Sequence, residues 1–269
     1  MQCSLAIGCQ RWRERRDSYR PPRETIRTAE YGVGPLDERL AKQFVITHHY
    51  ARSYPAARFR FGLFRRGDLV GVAVYSHPVN DRVLTGTFPT LSTRASVELG
   101  RLVLLDEVPG NGETWFLART FELLRGAAIR GVVSFSDPVP RTALDGTLVH
   151  LGHYGCCLQS HNAKYLGRGT PSTLRLLPDG TSFNHRSAQK IRAGERGWRG
   201  AAAQLVAYGA PDLPENADRA ERATWLAEWM AALTRPLRHP GNHRYAWALD
   251  RRVSLAAGLP YPKPLRSAA

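Results

Sequence analysis

ELGRLVLLDEVPGNGETWFLARTFELL, residues 98–124, decides the fold. Leu99–Leu105 is an apolar run of the kind that a strand covered on both faces requires. Gly110 and Gly112 break the run, and Asn111 between them stands where a helix N-cap belongs. Leu117, Phe121 and Leu124 then follow the i, i+4, i+7 stripe of an amphipathic helix. A helix N-terminus after such a turn can face a phosphate or a thioester, because its free N–H groups and dipole favour an anion. The candidate cofactor contacts are Arg101, Asn111, Gly112 and Glu113. Yet Asp106, Glu107 and Glu113 surround the turn and no basic residue lies within it, so its own charges argue against a simple pyrophosphate cradle. The plainer roles are a helix cap for Asn111 and a first-turn, dipole-stabilising acid for Glu113.

Upstream, LDERLAKQFVITHHY predicts a helix, and RFRFGLFRRGDLVGVAVYSHP predicts a hairpin turning at Arg66–Gly67–Asp68. Downstream, GVVSFSDP reads as a strand stopped by Pro138, GHYGCCLQSHNAKYLGRG as a helix from about Gly155 into a turn, and TLRLLPDGT as a short strand. The order predicts an α+β domain over residues 31–180, a mixed central sheet flanked by helices. Residues 1–30, with RWRERRDSYRPPR, form a basic N-terminal arm. Residues 181–269 are expected to form a helical, basic C-terminal extension. It would hold two short helices around GERG, an amphipathic helix in ADRAERATWLAEWMAALTR, and a basic tail, LRHPGNHRYAWALDRR, with interleaved aromatics.

Charge is the strongest compositional signal: 38 Lys and Arg against 23 Asp and Glu, a formal net of +15 over 269 residues. Such an excess makes a field suited to phosphate backbones. Arg186, Lys190, Arg192, Arg196 and Arg199 cluster in one stretch of the extension, and His243 and Arg244 lie beside Tyr245 and Trp247. These are the candidate nucleic-acid contacts, with two solvated faces of a basic protein as the plainer reading. No apolar run approaches a membrane span. The N-terminal apolar patch precedes its basic residues, the reverse of a secretory signal, so a cytoplasmic location is expected. Cys3, Cys9, Cys156 and Cys157 lack zinc-knuckle spacing and read as buried or free thiols.

Three polar groups are candidates for chemistry. His48, His49 and Tyr50 close the first helix, where an imidazole can act as base or ligand and a phenol can donate to developing charge. Asp137 ends a predicted central strand, the edge where α/β sheets gather ligands, although an Asp before Pro also simply makes a turn. His150, His153 and His161 surround the helix expected near residue 155. His49, Asp137 and His153 together would make a two-His, one-carboxylate set suited to ferrous iron.

Taken in order, HHY, DLVGVAVYSHP, ELGRLVLLDEVPGNGETWFLAR, SFSDP and GHYGCCLQSHNAKYLGRG resemble the Mom family of phage DNA adenine modification proteins. The resemblance covers residues 35–175 best. It implies a fold related to GNAT acyltransferases and a phage- or prophage-encoded enzyme. That enzyme converts adenine N6 in double-stranded DNA to a carbamoylmethyl amine, protecting the DNA from restriction. It places catalytic roles on His49, Tyr50 and Asp137, keeps His153, and links the family to iron. His49 is the expected base with Asp137 as alternative, and Tyr50 the group that orients the donor's carbonyl oxygen. The family pattern GHxGTIYQ reads GHYGCCLQ here, so Leu158 stands in place of a tyrosine.

The expected product, N6–CH2–CO–NH2, bonds N6 to an alkyl carbon, which ordinary acyl transfer does not. A glycyl group on N6, N6–CO–CH2–NH2, is an isomer of that product. An activated glycyl donor such as an aminoacyl-tRNA is therefore expected ahead of acetyl-CoA. The alternatives are a conventional GNAT-like N-acetyltransferase, which would want an (R/Q)xxGx(G/A) loop that PGNGET does not supply, and a DNA-binding protein with an inactive core.

Overall fold

DLVGVAVYS, residues 68–76, buries both faces of one strand and organises the protein around it. Ala73 and Tyr75 pack with Phe116, Leu117, Phe121 and Leu124, whereas Val72 and Val74 pack with Ala41, Phe44 and Val45. One sheet thus lies between helices on its two faces. The computed structural model describes residues 9–13, 16–20, 24–78 and 80–263, and between residues 9 and 20 only the Arg11 side chain.

The first part of the chain forms β1 (Cys9–Arg13), β2 (Arg16–Arg20), β3 (Tyr31–Pro35), α1 (Glu38–His48), β4 (Ala57–Arg65), β5 (Asp68–Ser76), α2 (Arg82–Thr85), β6 (Ser96–Leu104), α3 (Gly112–Gly126) and β7 (Gly131–Ser136). There follow β8 (Arg141–Thr142), β9 (Leu148–His150), α4 (Cys156–Ser160), β10 (Lys164–Arg168), β11 (Ser172–Leu176) and β12 (Ser182–Phe183). Helices α5 (His185–Ala193), α6 (Trp198–Val206) and α7 (Arg219–Leu233) precede β13 (Arg235–His239) and β14 (His243–Ala248).

Seven strands make the main sheet in the order β10-β14-β7-β6-β5-β4-β3. All neighbours are antiparallel except β6 and β7, which are parallel because α3 carries the chain back between them. Their pairing runs only from Ser96↔Gly131 to Leu99↔Ser134. Beyond Leu99, β6 continues to Leu104 without β7, so the two strands part at their C-terminal ends. Parting strands expose backbone edges and side chains that a closed sheet would cover. The α+β class with a mixed sheet between helices agrees with the expectation from the sequence.

The division of the chain differs from the expected boundary at residue 181. One compact unit comprises residues 1–139, 151–169 and 242–269, and the other residues 140–150 and 170–241. The helical segment is therefore an insertion, and the chain returns to the main sheet. HRYAWA, expected in a basic tail, forms the inner strand β14 between β7 and β10. Tyr245 and Trp247 enter the main core on one face, and Ala246 packs with Leu84 and Phe88 on the other. Alternation with period two was present in this stretch, but interleaved basic residues masked it.

The second unit has its own core, in which Ile191, Leu205 and Leu226 are fully buried among Trp198 and Trp225. Helices α5 and α6 around Gly194–Gly197 and the long α7 agree with the pattern of the sequence. Asp218 and Glu221 form a capping box that fixes the start of α7, each side chain accepting the other's backbone N–H. Cys156 is disulfide-bonded, which corrects the expectation of a thiol there, while Cys157 is free.

Candidate active site

Helix α1 ends at His48, and the chain turns through His49, Tyr50 and Ala51. The turn is fixed by His49, whose Nδ1 accepts the Ala51 N–H at 3.1 Å. A neutral imidazole bonded in this way carries its proton on Nε2. His49 is buried, and its ring lies against that of Tyr50 with centroids 4.2 Å apart. The phenol of Tyr50 is thereby directed to His153, with Oη 3.2 Å from Nε2.

His153 sits in the loop between β9 and α4, anchored on the other side by its backbone N–H to the Asp137 carbonyl at 2.7 Å. Asp137 directly follows β7, and its Oδ1 accepts the Val139 N–H at 3.0 Å, the turn-forming role expected of an Asp before Pro. Structure thus brings together His49, Tyr50, His153 and the Asp137 backbone at the end of β7. The dyad is Tyr50 with His153, and His49 is the residue that holds Tyr50.

Two further residues hold the loop that carries His153. Gln159 Nε2 donates to the Tyr154 carbonyl at 2.6 Å and to the Tyr245 hydroxyl at 3.1 Å, and that hydroxyl donates to the same carbonyl. Gly155 next to it has φ +69, and a Cβ there would lie 2.8 Å from the Tyr245 ring, so only glycine fits. Leu158 is buried in the main core against these groups. The position that departs from the family pattern is therefore a packing position in this chain, not a surface open to substrate.

Arg101 stands on the free part of β6. Its Nε donates to the Ser53 carbonyl at 2.8 Å and its Nη2 to Ser53 Oγ at 2.7 Å, which ties β6 to the loop following Tyr50. Burial lowers its pKa, opposed by the pull of Tyr50 and Glu98, so the guanidinium lies between these two side chains. Glu98 was missed in the sequence. Its signal was a lone acid within SVELGRLVLL, a stretch otherwise built for the interior. Burial raises the Glu98 pKa against the opposing pull of Arg101.

The remaining cofactor candidates lie in a different setting. Arg11 is buried and its guanidinium fills the turn between β6 and α3. It donates to the carbonyls of Leu105, Val108 and Pro109 at 3.0, 2.5 and 3.0 Å, and pairs with Glu113 through both carboxylate oxygens at 2.5 and 3.1 Å. A phosphate cradle presents N–H donors, whereas this turn presents carbonyls and a carboxylate to a cation. Asn111 occupies the N-cap position without a side-chain cap bond, and its Oδ1 instead accepts the Ile26 N–H at 2.7 Å. Gly112 is packed so closely that a Cβ would come within 2.4 Å of Val108 Cγ1. Asn111, Gly112 and Glu113 are thus structural, and Arg101 is not grouped with them.

Nor does the ferrous set form. Among the described residues no three His, Cys, Asp or Glu side chains are grouped so as to hold a metal ion. His49 Nδ1 is engaged by Ala51, His153 Nε2 by Tyr50, and Asp137 Oδ1 by Val139.

The expected nucleic-acid contacts also divide. Arg186 is paired with Glu195 at 2.5 Å and Arg199 with Glu215 at 3.0 Å, while Lys190, Arg192 and Arg196 carry no ion pair among the described residues. His243 is withdrawn from any such contact, being 1% exposed, with Nδ1 2.9 Å from the Tyr165 hydroxyl. Arg244 donates to the Leu166 carbonyl at 3.3 Å. The unit holding the main sheet carries 27 Lys and Arg against 15 Asp and Glu, and the inserted unit only 11 against 8. Most of the positive excess therefore belongs to the unit that carries Tyr50 and His153.

The model of the Mom protein family matches residues 30–263, and the chain belongs to that family. The methylcarbamoylase Mom of Escherichia phage Mu is 25% identical over 162 residues, or 59% of this chain. The match spans 62% of that relative's length. Among solved structures, a tandem GNAT protein from the clavulanic acid biosynthesis pathway is 11% identical, with a TM-score of 0.35 over 75% of this chain and 65% of its own. So low a TM-score carries no argument about this fold. No helix among the described residues is long and apolar enough to cross a membrane.

Proposed function

We propose that this protein is a DNA-modifying transferase that converts adenine N6 to a carbamoylmethyl amine and so shields DNA from restriction. Membership of the Mom family supports the class, and the named activity of the phage Mu relative supports the group transferred. The observation that carries the mechanism is the Tyr50–His153 hydrogen bond beside the parting ends of β6 and β7.

The N6 lone pair of adenine is conjugated with the ring, and N6 is unreachable within a duplex, so the base is extruded before reaction. As N6 attacks the donor's alkyl carbon, one N6 proton passes to the Tyr50 oxygen and the Tyr50 proton passes to His153 Nε2. Arg101 stabilises the charge that develops on the phenol oxygen, as a fixed cation does for a transient anion. The leaving group departs with the electrons of its bond to that carbon. In this reading His153 is the base, and His49 positions Tyr50.

For the donor, an activated glycyl group such as an aminoacyl-tRNA stands ahead of acetyl-CoA. Rearrangement of a glycyl amide on N6 gives the product without an added nitrogen or an oxidant. The carbonyl-lined, Arg11-filled turn supports this order, because it offers a coenzyme's phosphates acceptors instead of donors. DNA is expected to meet the basic surface of the unit that holds the site.

Nucleoside mass spectrometry of plasmid DNA from expressing cells tests the activity. Carbamoylmethyladenine is expected with the native chain and absent with His153→Ala. An unmodified plasmid, with acetyl-CoA turnover on an amine, would overturn the proposal. Feeding labelled glycine tests the donor separately, and a modified base without label would exclude the glycyl route.

A further inference from the structure

We propose that Glu98 reads the extruded base, its carboxyl group forming two hydrogen bonds with the N1/N6 edge of adenine. This rests on the reading of the protein as an adenine N6 transferase and names the residue that selects the base.

Glu98 lies on β6 opposite Ser76 of β5 and Val133 of β7, next to the last paired residue before β6 and β7 part. Val97 and Leu99 point to the core beneath α3, so Glu98 belongs to the other face, where α1 and its following loop lie. Gly100 is the extra residue of a bulge, since Tyr75 pairs with Leu99 and Val74 with Arg101. The bulge returns Arg101 to the face of Glu98, with Val103 after it. Glu98, Arg101 and, through Arg101, Tyr50 therefore form one row along the wall of the site. No hydrogen bond or ion pair involves the Glu98 carboxyl among the described residues. A half-buried carboxyl in such a row is either an uncompensated cost or a group kept for a ligand.

Its protonation fits one ligand edge. Burial favours the acid form of Glu98, and Arg101, the nearest charged side chain on its own strand, opposes this without overturning it. Ser76 and Val133, which flank it on the neighbouring strands, carry no charge. A carboxylic acid donates one O–H and accepts at its carbonyl oxygen. Adenine presents the complement, with N1 accepting and N6–H donating. The carboxylate would instead favour two donors side by side, as guanine presents at N1–H and the N2 amine. With one N6 hydrogen held by Glu98, the other is left for Tyr50, on the far side of Arg101. Glu98 is then a specificity residue that touches the substrate, and no proton need leave it during the reaction.

The test uses the full chain and two variants. Glu98→Gln keeps one donor and one acceptor in place, and Glu98→Ala keeps neither. Binding is measured on duplexes carrying one adenine, or one 1-deazaadenine, opposite an abasic site. The native chain and Glu98→Gln should bind the adenine duplex about tenfold more tightly than the 1-deaza duplex, the discrimination of one bidentate pair. Glu98→Ala should bind both alike, with thermal unfolding showing that it is folded. Equal binding of the two duplexes by the native chain, or unchanged discrimination in Glu98→Ala, would overturn the proposal. Because the binding needs no donor, it can succeed or fail whether or not plasmid adenine is modified in cells. Loss of modification by the native chain would count against the transferase reading alone.

Discussion

Tyr50 and His153 are joined by a hydrogen bond of 3.2 Å across 103 residues of sequence. One comes from the turn that ends α1 and the other from a loop fastened to the end of β7, so the contact exists only once the sheet has formed. Tyr50→Phe removes the phenol oxygen while keeping the ring that packs on His49. Modified adenine should fall by about 10²-fold or more, the usual loss for a missing proton-transfer partner, with thermal unfolding unchanged. Nucleoside mass spectrometry on DNA from cells with matched protein levels provides the measurement, and undiminished modification would remove Tyr50 from the mechanism.

Arg11 and Glu113 form a buried pair that closes the turn between β6 and α3. Arg11→Met strands the carboxylate together with three carbonyl groups, at a cost of about 3 kcal/mol. The double substitution Arg11→Met, Glu113→Leu removes the stranded charge and should recover part of that loss. Urea unfolding of the three proteins decides the matter. A single-variant loss below about 0.5 kcal/mol would show the pair to be dispensable.

Burial holds the His243 imidazole down at about 4, with Arg168 pushing the same way, against an ordinary value of 6.5. Tyr165 and Tyr154 are the other groups facing it. His243 is thus neutral in the fold and takes up a proton on unfolding below its ordinary value. Between about pH 4 and 6.5 the unfolded chain binds more protons, so stability rises with pH through this window and is lost as pH falls. His243→Gln should flatten that part of the profile. Urea midpoints at about pH 4.5 and about pH 7 give the comparison, and equal slopes in the two proteins would refute it.

Gln159 fastens the His153 loop through the Tyr154 carbonyl and the Tyr245 hydroxyl. Gln159→Leu should lower stability by about 1–2 kcal/mol, since two buried polar groups lose a partner. Activity should fall further than the stability loss explains, because His153 is no longer held toward Tyr50. Chemical denaturation and nucleoside analysis of the same preparations separate the two effects. A variant as active as the native chain would make the clamp merely structural.

Much of the molecule was legible before folding. The periodicity of residues 98–124 specifies a strand, a turn and a helix, and β6 and α3 occupy those places. The alternation in residues 58–76 specifies the hairpin of β4 and β5, and HHY, SFSDP and GHYGCCLQ marked the segments that meet at the site. These features are local, since each follows from which neighbours a residue must share a face with. The partners were not local. Whether the glycine turn met an anion depended on Arg11, which reaches it from about a hundred positions earlier in the chain and supplies the cation that its carbonyls and Glu113 require. Whether HRYAWA was a basic tail or a central strand depended on the place left between β7 and β10. Glu98 looked like one acid among apolar residues until the Gly100 bulge set it on one face with Arg101. Spacing along the chain fixes the faces of a helix or strand, and only the closed sheet decides which side chains from distant segments meet there.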